Sequence, residues 1–113
     1  MIFKQLFESD SCTYTYLLGC SDTGETVLID PVLETVERDL QTLKDMHLTL
    51  TATLETHVHA DHLTGAGRLR ERTGCKIAYP AMLHLPCADI HVVEGQTFRV
   101  KSIEIHPLFT PGH

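Results

Sequence analysis

The fold of this chain is decided by a strand-like stretch that leads into a histidine cluster, Leu48-Thr49-Leu50-Thr51-Ala52-Thr53-Leu54-Glu55-Thr56-His57-Val58-His59-Ala60-Asp61-His62. Alternating leucine and threonine in its first part are typical of a β-strand. Three imidazoles and one carboxylate then follow within six residues, and these groups form the ligand set for zinc, iron or manganese. We therefore expect a metal site at the carboxyl end of this strand, where α/β folds usually place their chemistry.

The spacing within the cluster indicates how its side chains converge. In an extended segment, residues two apart point to the same side, so His57, His59 and Asp61 would face one point beyond the strand. His62 would project from the other side and begin the next helix, next to a second position. Helical spacing would instead bring His59 and His62 together. Asp61 could ligate the metal, orient a histidine or hold a bound water.

A further histidine occurs where the given sequence ends, in Thr110-Pro111-Gly112-His113. Proline and glycine form a stiff turn that can aim the His113 side chain. The isolated histidines are interpreted as ordinary hydrogen-bonding side chains; they are His47, His84, His91 and His106.

The remaining pattern predicts an α/β fold with no internal repeat or linker. A helix is expected from Val32 to about Met46, because apolar residues recur there every three or four positions. A second helix should follow the cluster from about Leu63 and end before Thr73-Gly74, with Gly65 and Gly67 in its first turn; close backbone packing or substrate approach is expected there. The predicted strands are Ile2 to Phe7, Thr13 to Leu18, Val27 to Ile29, Leu48 to Glu55, Lys76 to Tyr79, Ile90 to Val93, Thr97 to Val100 and Ser102 to Leu108.

Composition limits the possible function classes. With 113 residues, of which 42% are hydrophobic, the chain predicts a single unit over residues 1–113. A net charge of −6 with scattered basic residues argues against a nucleic-acid or membrane partner. The four cysteines form no C-x-x-C pair, which favours reduced thiols over a disulfide framework. Residues 1–5 resemble a strand and not a signal peptide, so a cytoplasmic protein is expected.

The cluster and two N-terminal segments together resemble a known family. Residues 56–62 are similar to the H-x-H-x-D-H signature of the metallo-β-lactamase superfamily, and residues 110–113 resemble the segment that supplies its next histidine. Ser11 to Leu18, Leu28 to Thr35 and Thr56 to Gly65 are similar, in order and wording, to the persulfide dioxygenases of that superfamily. The resemblance covers nearly the whole chain.

The resemblance implies the N-terminal αβ half of an αβ/βα sandwich, with a mononuclear non-haem Fe(II) site that oxidises glutathione persulfide with O2 to sulfite. His57 and His113 match the two histidine ligands, whereas the family's carboxylate ligand lies in a segment beyond this sequence. His59, Asp61 and His62 match positions that ligate zinc in two-metal relatives, and here they would support the site. One face of the sheet should then be apolar and exposed, ready to dimerise or to pair with the missing half.

Two alternatives remain open from the sequence. One is a glyoxalase II-like thioester hydrolase, which uses the same motif with Zn(II) and a metal-bound hydroxide. The other is a metal-binding fragment without catalytic activity. We expect the 113-residue chain alone to turn over neither a persulfide nor a thioester.

Overall fold

The structure is a computed structural model that describes residues 1–8, 13–56, 65–80, 89–92, 98–100 and 103–105. In chain order its elements are β1 (Ile2–Glu8), β2 (Thr13–Gly19), β3 (Glu25–Ile29), a 3₁₀ turn (Leu33–Thr35), α1 (Val36–Asp45), β4 (Thr49–Leu54), α2 (Ala66–Thr73), β5 (Lys76–Pro80), β6 (Ile90–Val92), β7 (Phe98–Val100) and β8 (Ile103–Ile105).

The first six strands form one mixed sheet in the order of the sequence. The pairs β1–β2 and β2–β3 are antiparallel, whereas β3, β4, β5 and β6 run parallel. Helix α1 connects β3 to β4, and α2 connects β4 to β5. The carboxyl ends of the four parallel strands therefore meet at one edge of the sheet, called the site edge below. The prediction of an α/β fold is confirmed.

One face of this sheet is covered by both helices. Leu17 and Leu28, fully buried on β2 and β3, pack in one apolar cluster with Leu69 of α2. The other buried members of that cluster are Val36, Leu43, Leu50 and Cys75. Burying an aliphatic side chain contributes about 1.5–3 kcal/mol, so this cluster is the main stabilising core of the described chain.

The opposite face of the sheet is only partly covered. Ile103 of β8 packs there against Val27 and Ala52. Toward β1 the same face carries exposed aromatic rings, with Phe3 62% and Phe7 48% exposed. They contact their cross-strand neighbours, Phe3 with Tyr16 at 5.8 Å and Phe7 with Tyr14 at 4.9 Å between ring centroids. The exposed apolar surface expected from the sequence lies on this part of the sheet.

Two predicted helix boundaries need correction. The helix expected from Val32 begins with a 3₁₀ turn and becomes α-helical only at Val36. The second helix begins at Ala66, so Gly65 is its N-cap and not part of its first turn. A Cβ at Gly65 would lie 2.9 Å from the Val32 carbonyl oxygen, whereas one at Gly67 would meet nothing within 4 Å. The expected close backbone packing is therefore confirmed at Gly65. Gly67 shows no such packing, and the alternative of substrate approach there stays a prediction.

The structure also shows the exposure of three arginines on α2 and the burial of one cysteine thiol. Arg68, Arg70 and Arg72 are exposed on α2, as a solvated helix face requires. Cys75 carries a free thiol, and burial raises the pKa of this thiol. Neither of the two described helices is long and apolar enough to cross a membrane.

Candidate metal centre

The candidate metal ligands predicted from the sequence lie outside the described residues. They are His57, His59, Asp61, His62 and His113, and they remain predictions. What the structure does describe is the frame around the histidine segment (residues 57–64), because Thr56 and Gly65 flank that segment directly. The chemistry of the frame is therefore built from the flanking residues and the neighbouring strand ends.

The amino-terminal flank of the histidine segment is held by a carboxylate. Thr56 donates its backbone N–H to Asp30 Oδ1 at 2.8 Å and its hydroxyl to Asp30 Oδ2 at 2.7 Å. Both carboxylate oxygens of Asp30 thus accept a hydrogen bond from Thr56, and Asp30 itself is buried. Hydrogen bonds to an ionised acceptor are roughly twice as strong as neutral ones, so Thr56 has a well-defined position.

Asp30 owes its position to an unusual backbone conformation. Its φ is +55°, in the left-handed region that aspartate tolerates better than most residues. This bend ends β3 and turns the carboxylate toward β4. The Asp30 N–H donates to the Leu54 carbonyl at 2.8 Å, and its carbonyl accepts the buried Thr15 hydroxyl at 3.0 Å. Asp30 therefore connects the ends of β2, β3 and β4.

The carboxyl-terminal flank of the histidine segment is Gly65, and it is held by Pro31, the residue that follows Asp30. Gly65 donates its N–H to the Pro31 carbonyl at 2.9 Å, and its missing side chain leaves room for the Val32 backbone. The segment between Thr56 and Gly65 is therefore closed at both ends by hydrogen bonds to two consecutive residues, Asp30 and Pro31.

Other strands reach the same edge. Glu55, which follows β4 and is fully buried, donates its N–H to the Ala78 carbonyl of β5 at 2.9 Å. Beside β1, Arg38 of α1 donates to the Phe7 carbonyl at 2.7 Å and to Asp39 Oδ1. Burial raises the pKa of the Asp39 carboxyl, against the opposing effect of Arg38. These groups therefore belong to the frame around the histidine segment.

The described residues alone do not make a metal site. Among them, no three His, Cys, Asp or Glu side chains lie close enough together to hold an ion. A metal at the site edge would need donors from the histidine segment, whose imidazole and carboxylate groups suit iron or zinc. The donor chemistry of the histidine segment fits iron or zinc, and its assignment as the source of the ligands stays a prediction.

Sequence reasoning missed the importance of Asp30. The sequence places Asp30 only after the predicted strand Val27 to Ile29 and within the segment Leu28 to Thr35 that resembles the family. Its partner Thr56 lies 26 residues away, so no local pattern shows the contact. An aspartate directly after a short buried strand at the site edge was the one available signal.

Comparison with known proteins shows which family this chain matches. Residues 12–113 match the metallo-beta-lactamase superfamily. Over its full length the chain is 45% identical to the mitochondrial persulfide dioxygenase ETHE1 of Mus musculus, and it spans 44% of that protein. It is 37% identical to a hydroxyacylglutathione hydrolase of Rhodospirillum rubrum, with 91% of this chain and 40% of that protein aligned. The crystal structure of ETHE1 from Myxococcus xanthus superposes with a TM-score of 0.88 at 49% identity, covering 94% of this chain and 47% of that one.

Proposed function

The chain belongs to the metallo-β-lactamase superfamily, and we propose that the protein carrying it is a persulfide dioxygenase that oxidises glutathione persulfide with O2 to sulfite. The observation that carries this proposal is the 45% identity to a persulfide dioxygenase along the whole chain. The hydroxyacylglutathione hydrolase is less similar, at 37%. Because the chain spans less than half of either relative, activity and substrate belong to the proposal alone.

The metal of this enzyme would be Fe(II), held by His57 and His113 and by a carboxylate that this sequence does not contain. When bound, an iron with two histidines and one carboxylate offers open positions to a persulfide sulfur and O2. His59, Asp61 and His62 would surround these ligands, and Asp61 would orient a histidine or hold a water.

The described residues support the proposed site through their hydrogen bonds. Asp30 fixes Thr56, the residue before His57, at 2.7 and 2.8 Å. The Pro31 carbonyl fixes Gly65 after the segment. Ligands held between two fixed points lose less conformational entropy on binding an ion, so a frame of this kind favours metal binding.

A thioester hydrolase is the second candidate, favoured by the match to hydroxyacylglutathione hydrolases. It would hold Zn(II) with the same histidine segment and attack the thioester with a metal-bound hydroxide. Both candidates act on small glutathione derivatives, so the class of substrate does not separate them. The metal and the need for O2 do.

The deciding experiment uses the full-length protein, loaded in parallel with Fe(II) under anaerobic conditions and with Zn(II). Oxygen uptake and sulfite formation are followed with glutathione persulfide, and thiol release is followed with an acyl-glutathione thioester. We expect iron-dependent oxygen uptake and slow thioester cleavage. Stoichiometric zinc, no oxygen uptake and rapid thioester hydrolysis would favour the hydrolase instead.

Assembly and location are also part of the proposal. The aromatic face around Phe3 and Phe7 would be covered in the working protein by a second copy or by the segment that the longer relatives possess. We keep the cytoplasm as the proposed location, although the Mus musculus relative is named mitochondrial. Sedimentation of the protein and its fractionation from cells would test these two points.

A further inference from the structure

We propose that Arg38 and Asp39 form an acid-sensitive contact, which holds the end of β1 against α1 while Asp39 is ionised and releases it when Asp39 takes up a proton. The inference concerns a helix and a strand end, not the metal, so it goes beyond the proposed function and does not depend on it. It gives a conformational role to a buried carboxylate for which the proposed reaction has no use.

The contact joins a helix to a strand end through one guanidinium group. Arg38 Nη1 donates to the Phe7 carbonyl of β1 at 2.7 Å, while Nε and Nη2 donate to Asp39 Oδ1 at 3.2 and 3.0 Å. One side chain can make these bonds together because the N–H groups of a guanidinium have a fixed, planar geometry. The negative charge of Asp39 therefore holds the Arg38 group, and the Arg38 group holds the Phe7 carbonyl.

The Asp39 carboxylate can take up a proton without losing a hydrogen bond. Asp39 is fully buried, together with Val36 and Leu43 of the same helix. Its Oδ2 has no hydrogen-bond partner in the described part of the chain, and burial raises the pKa of the carboxyl against the opposing effect of Arg38. A protonated Asp39 keeps its volume but loses its charge, and hydrogen bonds to a neutral acceptor are roughly half as strong as those to an ionised one.

The charge that acts on Asp39 comes from Arg38. Within the described part of the chain, this guanidinium is the charged group that lowers the pKa of the Asp39 carboxyl. Lys4 lies on the same side of the sheet as α1, since it pairs in register with Leu17 of the core cluster, and it is exposed. Ionisable side chains of the neighbouring elements also include Asp30, Glu34, Glu37, Glu55 and Arg72. Protonation of Asp39 therefore acts mainly on its contact with Arg38.

Acid should have opposite effects on the whole domain and on the end of β1. Because the pKa of Asp39 is raised in the folded state, its contribution to stability is lost as the pH rises and regained as the pH falls. The end of β1 loses the support of Arg38 over that same fall in pH. General acid unfolding would instead loosen every strand together.

The test is hydrogen–deuterium exchange of the full-length protein, with a peptide covering residues 2–7 of β1 compared with a peptide covering β4. Exchange is measured at about pH 7.5 and about pH 5, on either side of the range in which a raised carboxyl titrates, and is corrected for the intrinsic rate. We expect β1 to exchange about tenfold faster in acid, as the weakening of one hydrogen bond to a charged group would give, and β4 to remain unchanged. Asp39→Asn, which is neutral at every pH, should show the fast exchange of β1 under both conditions.

Two further variants control for other causes. Arg38→Gln removes the guanidinium, so it should give the same fast exchange of β1 under both conditions. Arg72→Gln is the matched control, because Arg72 forms an exposed ion pair with Glu37 of the same helix α1 at 2.6 Å. It should exchange like the wild type. Histidines titrate in all of these proteins, so comparing them at one pH isolates the effect of Asp39.

The outcomes are decisive in either direction. If folded Asp39→Asn exchanges in β1 as slowly as the wild type at about pH 7.5, the contact does not hold the strand end and the inference is wrong. Equal acceleration of β1 and β4 would also overturn it, because the whole domain would then be opening. Should Asp39→Asn fail to fold, the pH series of the wild type together with Arg38→Gln decides. Absence of oxygen uptake would overturn only the dioxygenase, since exchange is measured without substrate.

Discussion

Replacing Gly65 by alanine should disturb the frame of the histidine segment far more than replacing Gly67 by alanine. The new Cβ would lie 2.9 Å from the Val32 carbonyl oxygen and 2.9 Å from Val36 Cγ2. Val32 cannot yield easily, because it is fully buried and its carbonyl accepts the Thr35 N–H at 3.1 Å. The chain at Gly65 must therefore move, and its hydrogen bond to Pro31 lengthens.

The size of the effect follows from these contacts. Overpacking a buried position costs about 1–3 kcal/mol, and a weakened hydrogen bond adds about 1 kcal/mol. We therefore expect Gly65→Ala to lower the free energy of unfolding by about 2–4 kcal/mol, or the Tm by roughly 8–16 °C at about 4 °C per kcal/mol. Metal affinity should fall too, because Gly65 is one of the two fixed flanks of the histidine segment.

Gly67→Ala is the matched control for this prediction. It lies on the exposed side of the same helix and its Cβ would meet nothing within 4 Å. Alanine is a better helix former than glycine, so this variant should gain about 0.5–1 kcal/mol. Urea unfolding followed by circular dichroism measures both changes. Equal stability of the two variants would refute the argument from the Val32 contact.

Three other predictions follow from the contacts and charges. Thr15→Val should lower the free energy of unfolding by about 1–2 kcal/mol in urea, because it leaves the buried Asp30 carbonyl without that hydroxyl; no loss would show that the bond is not needed. Asp39→Asn should change the pH dependence of stability. Burial raises the pKa of Asp39 in the folded state, so its contribution is fully present below the unfolded pKa and is lost as the pH rises through the folded one. Relative to wild type, the Asn variant should therefore gain stability in urea titrations as the pH rises above about 4, the unfolded pKa of an aspartate; a constant difference would contradict the assignment. Removing the metal with a chelator should lower the Tm of metal-loaded protein, since an ion at 100 times its Kd adds about 2.7 kcal/mol; an unchanged Tm would argue against a native metal site.

The elements of this fold could be predicted because their patterns are local. Apolar spacing indicated α1 to within a turn, the threonines indicated β4, and Ile77 and Tyr79 indicated β5. The start of α2 was missed, because the pattern after the histidines does not distinguish a helical glycine from an N-cap. At Gly65, the close approach of the Val32 backbone determines which of these two roles the glycine takes.

The frame of the site could be predicted only in part. The position of the histidine segment after β4 followed from the sequence, since a strand precedes it directly. Strand order and the parallel pairing of β3 with β4 depend on contacts between distant residues. The link from Asp30 to Thr56 depends on that pairing, because β3 and β4 must be neighbours before the carboxylate can reach the threonine.

Oxygen consumption is the property that separates the proposed iron-dependent persulfide dioxygenase from every other candidate. Full-length protein reconstituted with one equivalent of Fe(II) is given glutathione persulfide in an oxygen-electrode cell, and sulfite is quantified in the same sample. We expect O2 to be consumed and sulfite to form in equal amounts, and both to stop when Fe(II) is replaced by Zn(II). Persulfide that stays intact with Fe(II), in a protein shown to hold the metal, would contradict the claim.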